Sequence, residues 1–272
     1  MKALILAAGR GTRLRPLTDT MPKCLAPLHG KAILQCQLEA LDRAGVRDCV
    51  LVVGYMADQI RARFGSKYGS VRLAYVENPR FNETNNLYSL WLARHHMDDD
   101  ILLLEGDLVF DEELLLDVIQ SWRQDTAVVD AYRPHMDGTV VLARHGEATA
   151  MVLKSEQATD FDYRSALKTV NIYRFSRATI QRSFLPALDR FVAQGWTDQF
   201  YEAVLAEMVS RGALALGVHY AAPRRWAEID TAEDLREAHL AFQPSRRPAV
   251  AMLAGQPKAL AALGGLARPV RW

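Results

Sequence analysis

The residues best suited to chemistry cluster near the start of the chain. Residues 7–25 read AAGRGTRLRPLTDTMPKCL, placing Gly9 and Gly11 around Arg10, with Arg13, Arg15 and Lys23 close behind. Glycines let backbone N–H groups approach phosphate oxygens closely. Arginine adds a bidentate fork and lysine a point charge. The stretch therefore suits a polyphosphate; the plain alternative is a solvated basic loop. Acids that could hold a divalent cation lie far away in sequence. ILLLEGD ends on Asp107 and WAEID ends on Asp230. Mg²⁺ takes hard oxygen ligands and usually keeps only one or two protein carboxylates beside substrate phosphates. Glu105 and Glu228 precede these aspartates by two residues and could be secondary ligands or structural acids.

Two familiar phosphate loops do not fit. The spacing G-x-x-x-x-G-K-[ST] is absent. A dinucleotide fingerprint fails at its third glycine, where Leu14 stands, and the second strand ends VVGY without an acid for a ribose.

The elements that must position these residues alternate. KALILAA, CVLVVGY, VRLAYVEN and ILLLEGD read as strands, and KAILQCQLEALDRAG, MADQIRARFG, NNLYSLWLARHH and DEELLLDVIQSW as helices. This order implies βαβ units and a Rossmann-like, mainly parallel (mixed) sheet flanked by helices, an α/β fold. Such sheets bind ligands at the carboxyl ends of their strands, where the glycine loop falls. After residue 125 shorter strands follow: TAVVDAY, GTVVLAR, ATAMVLK and KTVNIYRF. Helical stretches are expected over about 176–194 and 198–211, then a strand in ALALGVHY and a helix in TAEDLREAHLAF. Thr231 and Asp234 have capping-box spacing there. The organisation expected is one domain over 1–242, with a nucleotide-binding half to about 125, a β-rich acceptor-binding half over 126–242, and a Pro/Gly/Ala/Arg-rich linker or tail over 243–272.

The 272 residues are 50% hydrophobic and 24% charged, with a formal net charge of +1. A near-neutral chain offers no global field for nucleic acid or an anionic membrane, so neither is expected as a partner. Cys24, Cys36 and Cys49 show no metal or disulfide spacing and fit reduced thiols in a cytoplasmic protein. No secretory signal and no membrane-spanning run is read.

The stretch LAAGRGTRLRPLTDTMPKCL resembles the signature of the sugar-phosphate-type nucleotidyltransferases, L-A-A-G-x-G-x-R-[LM]-x-P-L-T followed by P-K, with Cys24 where alanine is commoner. TNNLYSL, MDGTVV, FDYRSALKTVNIYRFS and WAEIDTAEDL narrow the resemblance to the phosphocholine and 2-aminoethylphosphonate cytidylyltransferases over about 1–240. It implies a GT-A-like nucleotidyltransferase fold and CMP transfer from CTP to a small zwitterionic phosphonate or phosphate, with release of pyrophosphate. The phosphonate branch is favoured. Phosphocholine, a sugar 1-phosphate acceptor, and a catalytically silent nucleotide-binding module are the alternatives. The implied catalytic residues are Arg13, Lys23 and Lys168. The implied nucleotide contacts are Ala7, Ala8, Gly9, Gly11, Thr12, Asn78 and Asn86, with Asn85 and Asn86 equally open to a helix-capping role. Asp107 and Asp230 would hold Mg²⁺, the expected cofactor. Lys154, Asp137, Tyr173 and Trp226 are the expected acceptor contacts. A quaternary ammonium would favour an aromatic cage from Tyr132, Tyr163, Trp196, Tyr201 and Trp226. A primary ammonium would need acids such as Asp137, Asp160 and Asp162. A homo-oligomer and a fused or partnered transaminase are left open.

Overall fold

The computed structural model describes residues 1–243; the expected linker or tail, apart from residue 243, lies outside them. Its strands in chain order are β1 (Lys2–Ala7), β2 (Pro27–Leu28), β3 (Lys31–Ala32), β4 (Asp48–Val53), β5 (Lys67–Tyr68), β6 (Val71–Glu77) and β7 (Ile101–Glu105). They continue with β8 (Leu108–Phe110), β9 (Thr126–Ala131), β10 (Val140–Arg144), β11 (Glu147–Val152), β12 (Ala166–Phe175), β13 (Gly217–Tyr220) and β14 (Trp226–Glu228).

Ten of these form one mixed sheet in the order β10-β11-β13-β9-β12-β7-β1-β4-β6-β5. β7, β1, β4 and β6 run parallel, and they are the four strands read from the first half of the sequence. β1, β4 and β7 are buried on both faces and need no polar alternation, whereas β6 exposes Arg72 and Ala74. β12 then pairs antiparallel with both β7 and β9, so the β-rich half extends the same sheet. The crossover helices include Ile33–Arg43, Ala57–Phe64 and Asn86–Leu92, close to the expected spans. Two large apolar clusters cover the sheet: one gathers Leu38, Leu41, Leu51, Leu104 and Leu115, the other Leu4, Leu103, Phe175, Phe184 and Leu205.

The direction of connection changes between β1 and β7: from β1 the chain moves outward to β4 and β6, then returns to β7 on the other side. This is the switch point where an open α/β sheet leaves a crevice at its strand ends.

Candidate active site

The crevice is built by the ends of β1 and β7. Their register, Leu6 beside Glu105, carries Ala7–Gly9 and Gly106–Asp107 out at the same edge. A cleft opens there, lined by Ala7, Ala8, Gly9, Gly11, Lys23, Asn78, Asn86 and Asp107 among others. Gly9 has open space where a side chain would project, as a loop meant for close approach requires. Gly11 serves a different need. Its φ of +61° suits glycine, and a Cβ there would lie 2.8 Å from the Cβ of Lys23. The second glycine thus gives Lys23 its channel as much as it opens the backbone to a ligand.

Leu14, which spoils the dinucleotide fingerprint, is an anchor. It is buried with Leu28, Ile33, Val109 and Ile229 in a small core beneath the loop. Thr18 Oγ1 donates to the Gly11 carbonyl at 2.8 Å, and Tyr55 Oη donates to the Thr18 carbonyl at 2.8 Å. The loop is fixed by packing on one side and by hydrogen bonds on the other.

A two-strand ribbon brings the distant aspartates together. β14 pairs antiparallel with β8, Glu228 beside Leu108, and Ile229 N–H donates to the Asp107 carbonyl at 3.0 Å. Lys23 Nζ lies 2.7 Å from Asp107 Oδ2 and 2.5 Å from Asp230 Oδ1, and Arg13 lies 2.9 Å from Asp230 Oδ2. Burial by itself would lower the Lys23 pKa, but the two carboxylates outweigh it and raise the value above its ordinary 10.5. The lysine is therefore a fixed positive charge. Asp107 Oδ1 is buried without a hydrogen-bond partner. Two acids sharing one cation, with a carboxylate oxygen left over, suit a small hard divalent ion such as Mg²⁺. Among the described residues no group of three or more His, Cys, Asp and Glu is arranged for a metal, so phosphate oxygens and water would supply the other ligands.

The remaining expected residues divide. Thr12 and Arg13 are exposed at the rim on a short 3₁₀ turn. Asn78 touches the cleft, but its amide is already engaged: Nδ2 donates to Thr84 and Ser89, and Oδ1 accepts from Arg80 N–H. It shapes the wall. Asn85 is the cap of the helix Asn86–Leu92. Asn86 instead donates to Glu105 Oε1 at 2.9 Å and accepts from Tyr201 N–H at 2.9 Å, joining the two halves of the chain.

Lys168 is buried, donating to the Thr169 carbonyl at 2.8 Å and lying 3.5 Å from Glu228 Oε2. It faces the cluster behind the aspartates rather than solvent. A shift of register in β12 between Thr169 and Tyr173, with Asn171 at φ +60°, turns the Asn171 amide toward Glu228.

Lys154 and Asp137, both exposed, pair with each other at 2.9 Å. Trp226 Nε1 donates to Asp130 Oδ2 at 2.9 Å, and its ring packs on the core. Tyr173 is fully buried, with its ring against Phe175 and Tyr201. Its hydroxyl is buried without a hydrogen-bond partner. The five aromatics of the expected cage do not converge: Tyr132 stacks on Tyr163 at 4.1 Å, Trp196 packs on Phe191, and Tyr201 is buried. Asp162 is committed to Arg164 at 2.7 Å, and Asp160 is exposed. Cleft residues that sequence reasoning passed over include Phe81, Thr84, Ser89 and Phe200. Thr84 and Ser89 sit within the TNNLYSL segment or at its edge, which was the signal available.

A Rossmann-type crevice holding a glycine loop, fixed cations and paired aspartates defines a nucleotide-handling α/β protein. The chain belongs to the MobA-like NTP transferase domain family, whose pattern matches residues 3–267, and is of the nucleotidyltransferase class. It is 37% identical over 253 residues to the CMP-5'-(3-aminopropyl)phosphonate synthase of Streptomyces rubellomurinus, covering 90% of this chain and 39% of that protein. It is 36% identical over 121 residues to the choline-phosphate cytidylyltransferase of Streptococcus pneumoniae, covering 44% of this chain and 51% of that one. The chain thus spans about half or less of the length of these two curated relatives. The solved CTP:phosphocholine cytidylyltransferase of Streptococcus pneumoniae has the same fold, with a TM-score of 0.71 at 22% identity, over 89% of this chain and 99% of that one. Among the described residues no helix is long and apolar enough to cross a membrane.

Proposed function

We propose that the protein transfers CMP from CTP to a small aminoalkylphosphonate, 2-aminoethylphosphonate being the favoured member, and releases pyrophosphate. The observation that carries this reading is the convergence of Asp107 and Asp230 on one lysine beside the glycine loop. The acceptor class is supported by the similarity, along 90% of the chain, to a relative named for an aminopropylphosphonate product.

In this reading an acceptor oxygen forms a bond to the α-phosphorus of CTP, while the bond from that phosphorus to the bridging oxygen breaks and pyrophosphate leaves. A phosphonate oxygen is already anionic near neutral pH, so the chain need not supply a general base. Catalysis is then positioning and neutralisation of charge. The N–H groups around Gly9 and Gly11 receive phosphate oxygens. Arg13 and Lys23 offset the charge that moves onto pyrophosphate. Leu14 and Thr18 hold the loop in register while this happens. Mg²⁺, held by Asp107 and Asp230, would neutralise the phosphates further. The half over 126–242 receives the acceptor.

The test is an assay of pyrophosphate release with CTP, Mg²⁺ and one of three acceptors: 2-aminoethylphosphonate, phosphocholine or a sugar 1-phosphate. Turnover with the phosphonate is expected. Turnover with a sugar 1-phosphate alone overturns the reading.

A further inference from the structure

Behind the paired aspartates lies a second cluster that the reaction as described does not use. Glu105 and Glu228 each stand two residues before a metal-binding aspartate. Glu202 joins them from the start of the helix Glu202–Ser210, itself 6% exposed. Tyr173 and Tyr201, both fully buried, pack edge to face with ring centroids 5.8 Å apart, and the charges of Glu202, Glu105 and Glu228 bear on both hydroxyls.

The cluster is incomplete. Glu202 Oε2, Tyr173 Oη and Tyr201 Oη are all buried with no hydrogen-bond partner. Native interiors rarely leave three such oxygens unsatisfied together. Lys168 cannot serve them all, since its ammonium is engaged by the Thr169 carbonyl and faces Glu228. Burial pushes the Glu202 carboxyl up to about 7, the mark of an acid short of positive charge. The cleft reaches this cluster through Glu105 and Asn86, which line it.

Resting on the transferase reading above, we propose that Glu202, with the hydroxyls of Tyr173 and Tyr201, forms the subsite that receives the primary ammonium of the acceptor. A primary ammonium has three N–H donors, and three oxygens here lack a donor. A quaternary ammonium has no N–H to offer and would leave them unsatisfied. Glu202 is thus a specificity residue of the acceptor site, selecting an amine at the far end of a short phosphonate.

The experiment compares 2-aminoethylphosphonate with ethylphosphonate, which lacks only the amine, by calorimetric binding and by pyrophosphate release. Wild type, Glu202→Gln and Tyr201→Phe are measured, each checked by its melting curve. Wild type should favour the amine. Glu202→Gln should lower kcat/KM for 2-aminoethylphosphonate about 100-fold, the value of one lost charged hydrogen bond, with the KM for CTP and the use of ethylphosphonate unchanged. Tyr201→Phe, which keeps the buried ring, should give a smaller loss confined to the aminated acceptor. Equal losses on both acceptors, or a wild type indifferent to the amine, overturn the subsite. Amine-selective binding without pyrophosphate release overturns the transferase reading and leaves the subsite standing. Binding of neither acceptor overturns both.

Discussion

Lys23→Met removes the cation that, among the described residues, alone touches both Asp107 and Asp230. At about 4 Å and an effective dielectric of about 20, each lysine–carboxylate contact is worth about 4 kcal/mol before solvation is counted. The aspartate side chains are 19% and 23% exposed, so water recovers much of this once the lysine is gone. The net loss should be about 2–4 kcal/mol, near the range for removing one partner of a buried pair. For a domain of this size that lowers the melting temperature by about 5–12 °C. The lysine's folded pKa is raised above its ordinary 10.5, so its contribution is fully present below that value. It is lost only as pH climbs through the higher folded pKa, and the gap between wild type and variant should stay flat from pH 7 to 10. Mg²⁺ offers the acids a replacement cation. It should raise the variant's melting temperature more than the wild type's while leaving turnover down by about 10²–10³. A variant that melts within 2 °C of wild type, or gains no more than wild type from Mg²⁺, refutes this account of the lysine.

Asp107→Asn should reduce Mg²⁺-dependent pyrophosphate release by about 10²-fold or more, and turnover at the wild-type rate would remove Asp107 from the metal site. Gly11→Ala puts a Cβ 2.8 Å from Lys23 Cβ at a φ of +61°, so it should cost about 1–3 kcal/mol in a melt and weaken CTP binding together. Leu14→Ala, emptying a buried anchor under the loop, should cost about 2–4 kcal/mol, read by denaturant titration. Glu202 faces Lys168, Glu105, Glu228, Tyr173 and Tyr201, and its folded pKa of about 7 exceeds the ordinary 4.5. The stability it contributes is present below pH 4.5 and is lost as pH rises through 7, so Glu202→Gln should gain on wild type between those values and hold the gain above them; a constant offset across pH 4–8 would contradict this.

The parallel core was legible because strands buried on both faces are continuous apolar runs, and β1, β4 and β7 have that form. The ribbon of β8 and β14 was not, since three residues carry no period. Yet that ribbon matters to the site: its pairing, with Ile229 N–H on the Asp107 carbonyl, carries Asp230 beside Asp107. The resemblance suggested Lys154, and residue type Asp137, for the acceptor; the two pair with each other at the surface. Type could not suggest Glu202, because an acid in the first turn of a helix reads as a partner of the helix dipole. Its burial beside two unpartnered hydroxyls depends on contacts from distant strands.

The geometry of strand ends explains why one edge can serve both ends of a small acceptor. Alternation along a strand returns a side chain to the same face every second residue. β7 and β14 approach the crevice from different parts of the sequence, and each ends with a glutamate two positions before an aspartate. On the proposed reading, the outer pair, Asp107 and Asp230, would hold the cation beside the phosphates. The inner pair, Glu105 and Glu228, lies beside Glu202 and Lys168. A ligand with an anion at one end and a cation at the other matches that gradient, and its reversal would be repelled at both ends. On the proposed reading, the order of the two carboxylate pairs sets the acceptor's orientation, which a single basic loop could never do.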